Sequence, residues 1–300
     1  FDSELVQGLA EDYLASLGTL IDHCLSPGAA GVTPSDFPLA SISQAQLDAL
    51  PVAAADLEDL YPLSPLQQGM LFHALQGAAG SAYVNQVCVP LSDVDGLRFA
   101  AAWERVSHEH GILRAGFAWE GDLPQPLQWI HRQLPSPVRH LDWRERGAEQ
   151  ARLELAELAD AERDQGFDLR RPPLQRVLLV RLGESAYQLI WTRHHILLDG
   201  WATARLIEEV LLHYRGQTPA AGASRYRDYL AWLGRQDGAS SQQFWSQQLC
   251  ELEQPTLLAD ALPAVPARSG HGDLRLQLAP DVTSALGVFA RRERVTLNTL

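Results

Sequence analysis

Two hydrophobic patterns meet in the middle of the chain. Apolar and polar residues alternate through Tyr187–Thr192, and apolar residues then recur three and four positions apart through Ala202–Tyr214. Alternation is typical of a strand, and the longer spacing is typical of an amphipathic helix. The sequence therefore predicts a strand and a helix joined by a loop. This junction, residues 194–201, reads His-His-Ile-Leu-Leu-Asp-Gly-Trp.

The same two periods predict further elements along the chain. Helices are predicted at about residues 3–24, 43–50, 96–108, 148–165, 226–232 and 280–292, with others beginning at residue 65 and surrounding residues 244–245. Strands are predicted at about residues 83–89, 125–131, 175–181 and 274–278. Ser64 is the expected cap of the helix that begins at Pro65.

Composition narrows the class of protein. Hydrophobic residues make up 46% of the chain and charged residues 20%, which is typical of a soluble globular protein. A net charge of -13 argues against nucleic acid as a partner. Neither a membrane span nor a signal peptide is expected. Cys24, Cys88 and Cys250 lack metal-ligand spacing and are expected to be reduced, mostly packed thiols of a cytoplasmic protein.

Four residues of the junction can carry chemistry. Adjacent strand residues point to opposite faces, so only one of His194 and His195 can face a given cavity. Asp199 is placed to turn the loop or to pair with a cation. Gly200 permits a positive φ or a close approach to its backbone. A simpler interpretation is a buried strand end that contains one packed histidine.

The spaced set His-His-x-x-x-Asp-Gly resembles the signature of the condensation-domain superfamily of nonribosomal peptide synthetases, which is related to chloramphenicol acetyltransferase. Three further stretches resemble family motifs in the same order: residues 61–73, 110–117 and 226–232. The second of these departs from the family pattern at Glu109, where Arg is usual, and at Ala115, where Thr is usual. The ordered series identifies the chain as a member of this family.

The resemblance implies an α/β fold, a two-lobed sandwich like chloramphenicol acetyltransferase, of which the second lobe is only begun. Leu20–Cys24 and Thr33–Ala40 resemble the end of an epimerization domain and the linker that leaves it. The expected organisation is an epimerization tail and linker at residues 1–56, the first lobe at 57–240, and a bridging helix with the start of the second lobe at 241–300. Both ends are expected to continue in a longer polypeptide. The alternative is that the N-terminal helix packs on its own domain.

The resemblance also implies roles for the site residues. His195 is the expected catalytic residue, which either accepts the amine proton or orients the amine and the tetrahedral intermediate by hydrogen bonding. His194 is expected to be a packed, supporting residue. Asp199 is expected to pair with Arg114 and so hold the loop in shape. Gly200 either lends its backbone N–H to the developing oxyanion or turns the chain.

The implied function is peptide-bond formation between two carrier-bound substrates, with a D-configured residue on the donor. The implied partners are the upstream and downstream peptidyl carrier domains and the neighbouring epimerization and adenylation domains, without nucleic acid or membrane. No permanently bound cofactor and no metal are expected, because the phosphopantetheine arms of the carriers deliver the substrates. The alternatives are a free-standing acyltransferase that uses acyl-CoA and a non-catalytic module that recruits carriers.

Overall fold

A computed structural model describes residues 2–26, 31–75, 83–219, 225–254 and 276–300. The chain divides into two compact units, residues 1–236 and residues 237–300. The helices of the first unit are α1 Ser3–Leu25, α2 Gln44–Asp48, α3 Pro65–Leu75, α4 Gly96–Glu109, α5 Ala148–Asp164, α6 Gly200–Tyr214 and α7 Tyr226–Leu233. Its strands are β1 Leu57–Pro62, β2 Val84–Ser92, β3 Ala115–Ala118, β4 Leu127–His131, β5 Val138–Asp142, β6 Gln175–Arg181 and β7 Ala186–His194. The second unit contains α8 Gly238–Gln248 and α9 Pro280–Glu293.

A four-stranded sheet in the order β2-β7-β6-β5 carries the signature loop. Strand β7 lies between β2 and β6 and is antiparallel to both, while β5 runs parallel to β6. The last part of β7, from Ile190 to His194, is buried. The indole ring of Trp191 meets that of Trp103 on α4 edge to face, with the ring centroids 5.0 Å apart. The signature loop therefore begins at the end of a central strand that is held on both sides.

The three-stranded sheet β1-β4-β3 contains strands that the sequence did not predict. Strand β3 is only four residues long and all four are buried, so it lacks the alternation of a half-exposed strand. Within it, Gly116 lies against the Trp129 ring, and a Cβ atom there would lie 2.4 Å from the indole. The strand thus depends on a glycine that weakens its own signal in the sequence.

The segment predicted to be a linker packs on this second sheet. Phe37, Ala40, Leu47 and Leu50 are buried in one apolar cluster. Their partners in the cluster are Leu57 and Leu60 of β1, Ala118 of β3, and Leu127 and Trp129 of β4. Helix α2, which Ser43 caps as expected, brings Leu47 into this cluster. Residues 37–50 are therefore docked onto the first unit.

Helix α1 is present at Ser3–Leu25, as the spacing of its apolar residues predicts. None of its residues is buried, and Leu9 is 72% exposed. The alternative in which this helix packs on its own domain is thus not what the structure shows.

Two expectations about the rest of the chain need correction. Leu274, in the predicted strand 274–278, lies outside the described residues, and residues 276–279 form no strand. The three cysteines are free, but all three are exposed and not packed. None of the described helices combines the length and the apolar character needed to cross a lipid bilayer.

Candidate active site

His195 is held by two hydrogen bonds just beyond the end of β7. Its backbone N–H donates to the carbonyl of Tyr83 at 2.6 Å. Its ring Nδ1 lies 2.8 Å from the carbonyl oxygen of Leu198. Because a carbonyl can only accept, Nδ1 carries the proton, and the neutral ring has its lone pair on Nε2. The half-buried imidazole thus presents a proton acceptor in a fixed orientation.

His194 is buried, in agreement with the packed position expected for it. Its Nδ1 accepts the backbone N–H of Ile196 at 3.2 Å. Burial, and to a smaller degree the neighbouring His195, lowers the pKa of His194 to about 4. The residue is therefore neutral near pH 7, and it organises the loop backbone.

The buried state of His194 predicts a pH dependence of stability. Its pKa is lower in the folded chain than the usual 6.5, so the unfolded chain binds the extra proton first as the pH falls. The free energy of unfolding is then complete above about pH 6.5 and falls by about 3 kcal/mol as the pH approaches 4. We expect His194→Asn, which keeps an acceptor for the Ile196 amide but cannot be charged, to reduce this loss. Denaturant unfolding at pH 7 and pH 4.5 measures it.

His23→Asn serves as the matched control, because His23 is exposed on α1. This variant should keep the pH dependence of the wild type. An equal loss of stability in the wild type and in His194→Asn would contradict the assignment of the effect to His194.

Asp199 and Gly200 form the start of α6. The Asp199 carboxylate accepts the backbone N–H of Ala202 at 2.7 Å, which is the geometry of a helix N-cap. Gly200 is the first helical residue, so its N–H has no partner within the helix. Its φ is not positive, and a Cβ atom there would meet nothing within 4 Å. The glycine therefore does not turn the chain, and it leaves open space beside an outward N–H.

The expected ion pair between Arg114 and Asp199 is wrong. The buried guanidinium of Arg114 donates at 2.6 Å to the carboxylate of Glu58, on β1. It also donates to four backbone carbonyls, those of Ser107, His108, His131 and Arg132. The first two belong to the C-terminal turn of α4, whose carbonyls have no partner within the helix. Arg114 thus joins α4, β1 and the end of β4, while Asp199 caps α6.

The opening motif contacts the signature loop through Gln67. This buried residue of α3 donates from Nε2 to the carbonyl of Ile196 at 3.2 Å. Its Oε1 accepts the backbone N–H of Ser64 at 3.0 Å and the side-chain amide of Gln128 at 2.9 Å. The predicted Ser64 cap is present, since its hydroxyl accepts the Gln67 N–H at 3.2 Å. Two motifs that are far apart in sequence therefore support one loop.

Sequence reasoning assigned no role to three residues of the site. Trp201 is 89% exposed beside Gly200. Arg193 is buried just before the two histidines and donates to the hydroxyl of Thr203 at 2.8 Å. The signal that was available is the spacing, because Arg193 and His195 have the same strand parity and Thr203 follows Asp199 by one helical turn.

Comparison with known proteins assigns the family. The model of the family described as "Condensation domain" matches residues 57–300. One protein of the linear gramicidin synthase of Brevibacillus parabrevis is 38% identical over 307 residues, which cover 100% of this chain and 6% of that protein. Bacitracin synthase 3 of Bacillus licheniformis is 29% identical over 312 residues, which cover 100% of this chain and 5% of that protein. The chain thus spans a small part of the curated relatives that it matches.

Solved structures agree on the fold. The EpoB cyclization-docking bidomain of Sorangium cellulosum has a TM-score of 0.62 at 21% identity, and covers 99% of this chain and 56% of its own. The condensation domain of the Monacolin K polyketide synthase MokA has a TM-score of 0.62 at 20% identity, with 81% and 57% covered. The α/β fold predicted from the motifs is confirmed. With the family model matching more than half of its length, the chain belongs to the condensation-domain family.

Proposed function

We propose that this chain catalyses peptide-bond formation between two carrier-bound substrates. The observation that carries the proposal is the fixed ring of His195, whose Nδ1–H is held by the Leu198 carbonyl and whose Nε2 is left as an acceptor. A histidine in this state can accept the proton of an attacking ammonium or amine near neutral pH, or orient that amine by accepting its hydrogen bond.

The proposed reaction is aminolysis of a thioester. The acceptor amine attacks the donor carbonyl carbon, a C–N bond forms, the C–S bond breaks, and the amine proton ends on the departing thiolate. General base action by His195 Nε2 contributes about 10²–10⁴-fold. Alignment of the two reactants contributes more, since effective molarities reach about 10⁵ M or above.

The start of α6 offers stabilisation for the oxyanion. Gly200 has an N–H without a helical partner, and helix N-termini favour negative charge. Asp199 and Gly200 are exposed, and the open space at the glycine fits the approach of a thioester at the end of a phosphopantetheine arm. That arm belongs to a carrier partner and supplies the activated acyl group. Asp199 supports this geometry by capping the helix.

The test uses the protein that contains this chain, with donor and acceptor carriers loaded chemically. The expected product is the dipeptidyl thioester on the acceptor carrier, detected by mass spectrometry of the intact carrier. A parallel reaction offers the donor acyl group as its CoA thioester. Product from the CoA donor alone would replace our proposal with the free-standing acyltransferase. No product from either donor would leave a non-catalytic recruiting module.

We further propose that the donor residue has the D configuration. Residues 20–40 resemble the exit of an epimerization domain, and residues 61–73 resemble the opening motif of the subtype that follows one. Helix α1 has an exposed apolar face, with Leu5, Leu9 and Tyr13 each more than 60% exposed. Such a face is what a helix that packs on a preceding domain would present.

The D-donor preference predicts discrimination of about 10²-fold. The wrong epimer exchanges side chain and hydrogen at Cα, and a displacement of about 1 Å at the carbonyl costs on the order of 10²-fold in rate. Single-turnover condensation with carriers that bear either epimer measures the preference without upstream epimerization. If the L-donor reacts as fast or faster, the donor assignment is wrong, and the condensation assignment stands.

A further inference from the structure

Arg193 is a buried cation without an anion. The residue is 4% exposed, and its guanidinium stacks over the Trp191 ring at 4.1 Å from the centroid. Within the described part of the chain it forms no salt bridge, and its Nε and Nη1 have no hydrogen-bond partner. Burial lowers the pKa of this guanidinium. A cation kept under these conditions is costly, which asks for a function beyond packing.

Its one polar contact leads to the signature loop. Arg193 Nη2 lies 2.8 Å from the hydroxyl oxygen of Thr203, on the first turn of α6. That hydroxyl lies 2.6 Å from the backbone carbonyl of Asp199. The Thr203 backbone N–H donates to the same carbonyl at 2.9 Å. Strand β7 and the peptide before Gly200 are therefore joined by a short chain of hydrogen bonds.

The direction of this chain is fixed by chemistry. A guanidinium has donors and no acceptor, so the Thr203 oxygen must accept from Arg193. The single hydroxyl proton is then left to donate to the Asp199 carbonyl. Without Arg193 the hydroxyl is free to rotate away from that carbonyl. The buried guanidinium thus sets the orientation of a hydroxyl that would otherwise have several.

The held carbonyl is adjacent to the one that orients His195. Leu198, whose carbonyl accepts the His195 Nδ1–H at 2.8 Å, directly precedes Asp199 in the chain. We propose that Arg193 and Thr203 are positioning residues, which hold the Leu198–Asp199 backbone so that His195 stays in its Nδ1–H tautomer with Nε2 directed outward. The consequence for rate rests on the proposed function, whereas the consequence for the His195 ring does not.

The experiment combines kinetics with a spectroscopic signature in the protein that contains this chain. Thr203→Val removes the hydroxyl at nearly constant volume, and Thr203→Ser restores it. Arg193→Met removes the donors and keeps a stem over Trp191, whereas Arg193→Lys retains a cation that can donate. The readouts are kcat and KM for the acceptor carrier in condensation, and the ¹⁵N signals of the His195 ring, which report the tautomer.

We expect Thr203→Val and Arg193→Met each to lower kcat about 10-fold, since tilting a reacting group by a fraction of 1 Å costs less than the full 10²-fold. KM should stay within twofold, and the double variant should lose little more than either single variant. The ring signals should shift from one tautomer towards a mixture. Thr203→Ser and Arg193→Lys should recover most of both effects.

Thr283 provides a matched control, because its hydroxyl and its N–H also donate to a carbonyl at a helix start, that of Ala279. Thr283→Val should leave kcat and the His195 ring signals unchanged. Unaltered ring signals in Thr203→Val and Arg193→Met would overturn the proposal, as would a Thr203→Ser variant that resembles Thr203→Val. A wild type that forms no peptide bond would overturn the proposed function, and the ring signals would still decide this inference.

Discussion

Replacing His195 with asparagine is expected to lower the condensation rate by about 10²–10⁴-fold while the carriers remain loaded. The asparagine amide can still donate to the Leu198 carbonyl, so the loop contact is kept and only the acceptor at Nε2 is lost. Single-turnover formation of the dipeptidyl thioester measures the effect. His195→Ala, which removes the loop contact as well, should be at least as slow.

The pH dependence of the same reaction separates the two possible roles of His195. A general base gives a wild-type rate that falls as the ring becomes protonated, and this dependence is absent from the slow reaction of His195→Asn. An orienting role gives a lower rate in the variant with the same dependence on pH. His23→Asn, on the exposed face of α1, should react as the wild type does. A wild-type rate in His195→Asn would remove this residue from the mechanism.

Replacing Arg114 with methionine should destabilise the first unit by about 3–5 kcal/mol. The side chain is 5% exposed, and its loss would leave several backbone carbonyls of α4 and β4 without their donor. Glu58, at 43% exposure, is more accessible to water. Glu58→Gln keeps an acceptor oxygen and should cost no more than about 1 kcal/mol. Denaturant unfolding gives both values, and hydrogen exchange of the α4 and β4 peptides locates the change.

Double variants decide which carboxylate Arg114 serves. Arg114→Met combined with Glu58→Gln should lose less than the sum of the single losses, because the two side chains are in contact. Arg114→Met combined with Asp199→Ala should be additive, with Asp199→Ala costing about 0.5–2 kcal/mol through loss of the α6 cap. A non-additive Arg114 and Asp199 pair would restore the ion pair that the sequence suggested.

The elements that the sequence predicts well are those whose residues repeat one period over a long stretch. Helix α6 begins two residues before its predicted start, and β6 has the predicted bounds. The missed strands have physical reasons: β3 is fully buried and contains Gly116, and β5 is a five-residue edge strand with Arg139 and His140 exposed. Alternation at residues 274–278 predicted a strand, yet a strand needs a partner, and alternation does not supply one.

The site shows the same division between local and distant information. The positions of His194, Asp199 and Gly200 relative to strand and helix follow from local spacing. The partner of Arg114 does not, because Glu58 comes from another strand and its signal is one acidic residue among many. Compensation for a buried cation is likewise invisible in sequence, so Arg193 and Thr203 were identified only from their contacts.

The docked segment at residues 37–50 affects where this domain can be cut and joined to another. The family match begins at residue 57, but the apolar face of β1 and β4 is covered by Phe37, Ala40, Leu47 and Leu50. A chimaeric synthetase joined at residue 57 would uncover Leu57, Leu60 and Trp129, all now nearly inaccessible to water, and expose a patch prone to aggregation. A junction placed before Thr33 keeps this cover with its sheet. For module exchange, the packing boundary of the domain therefore lies about two dozen residues upstream of its sequence boundary.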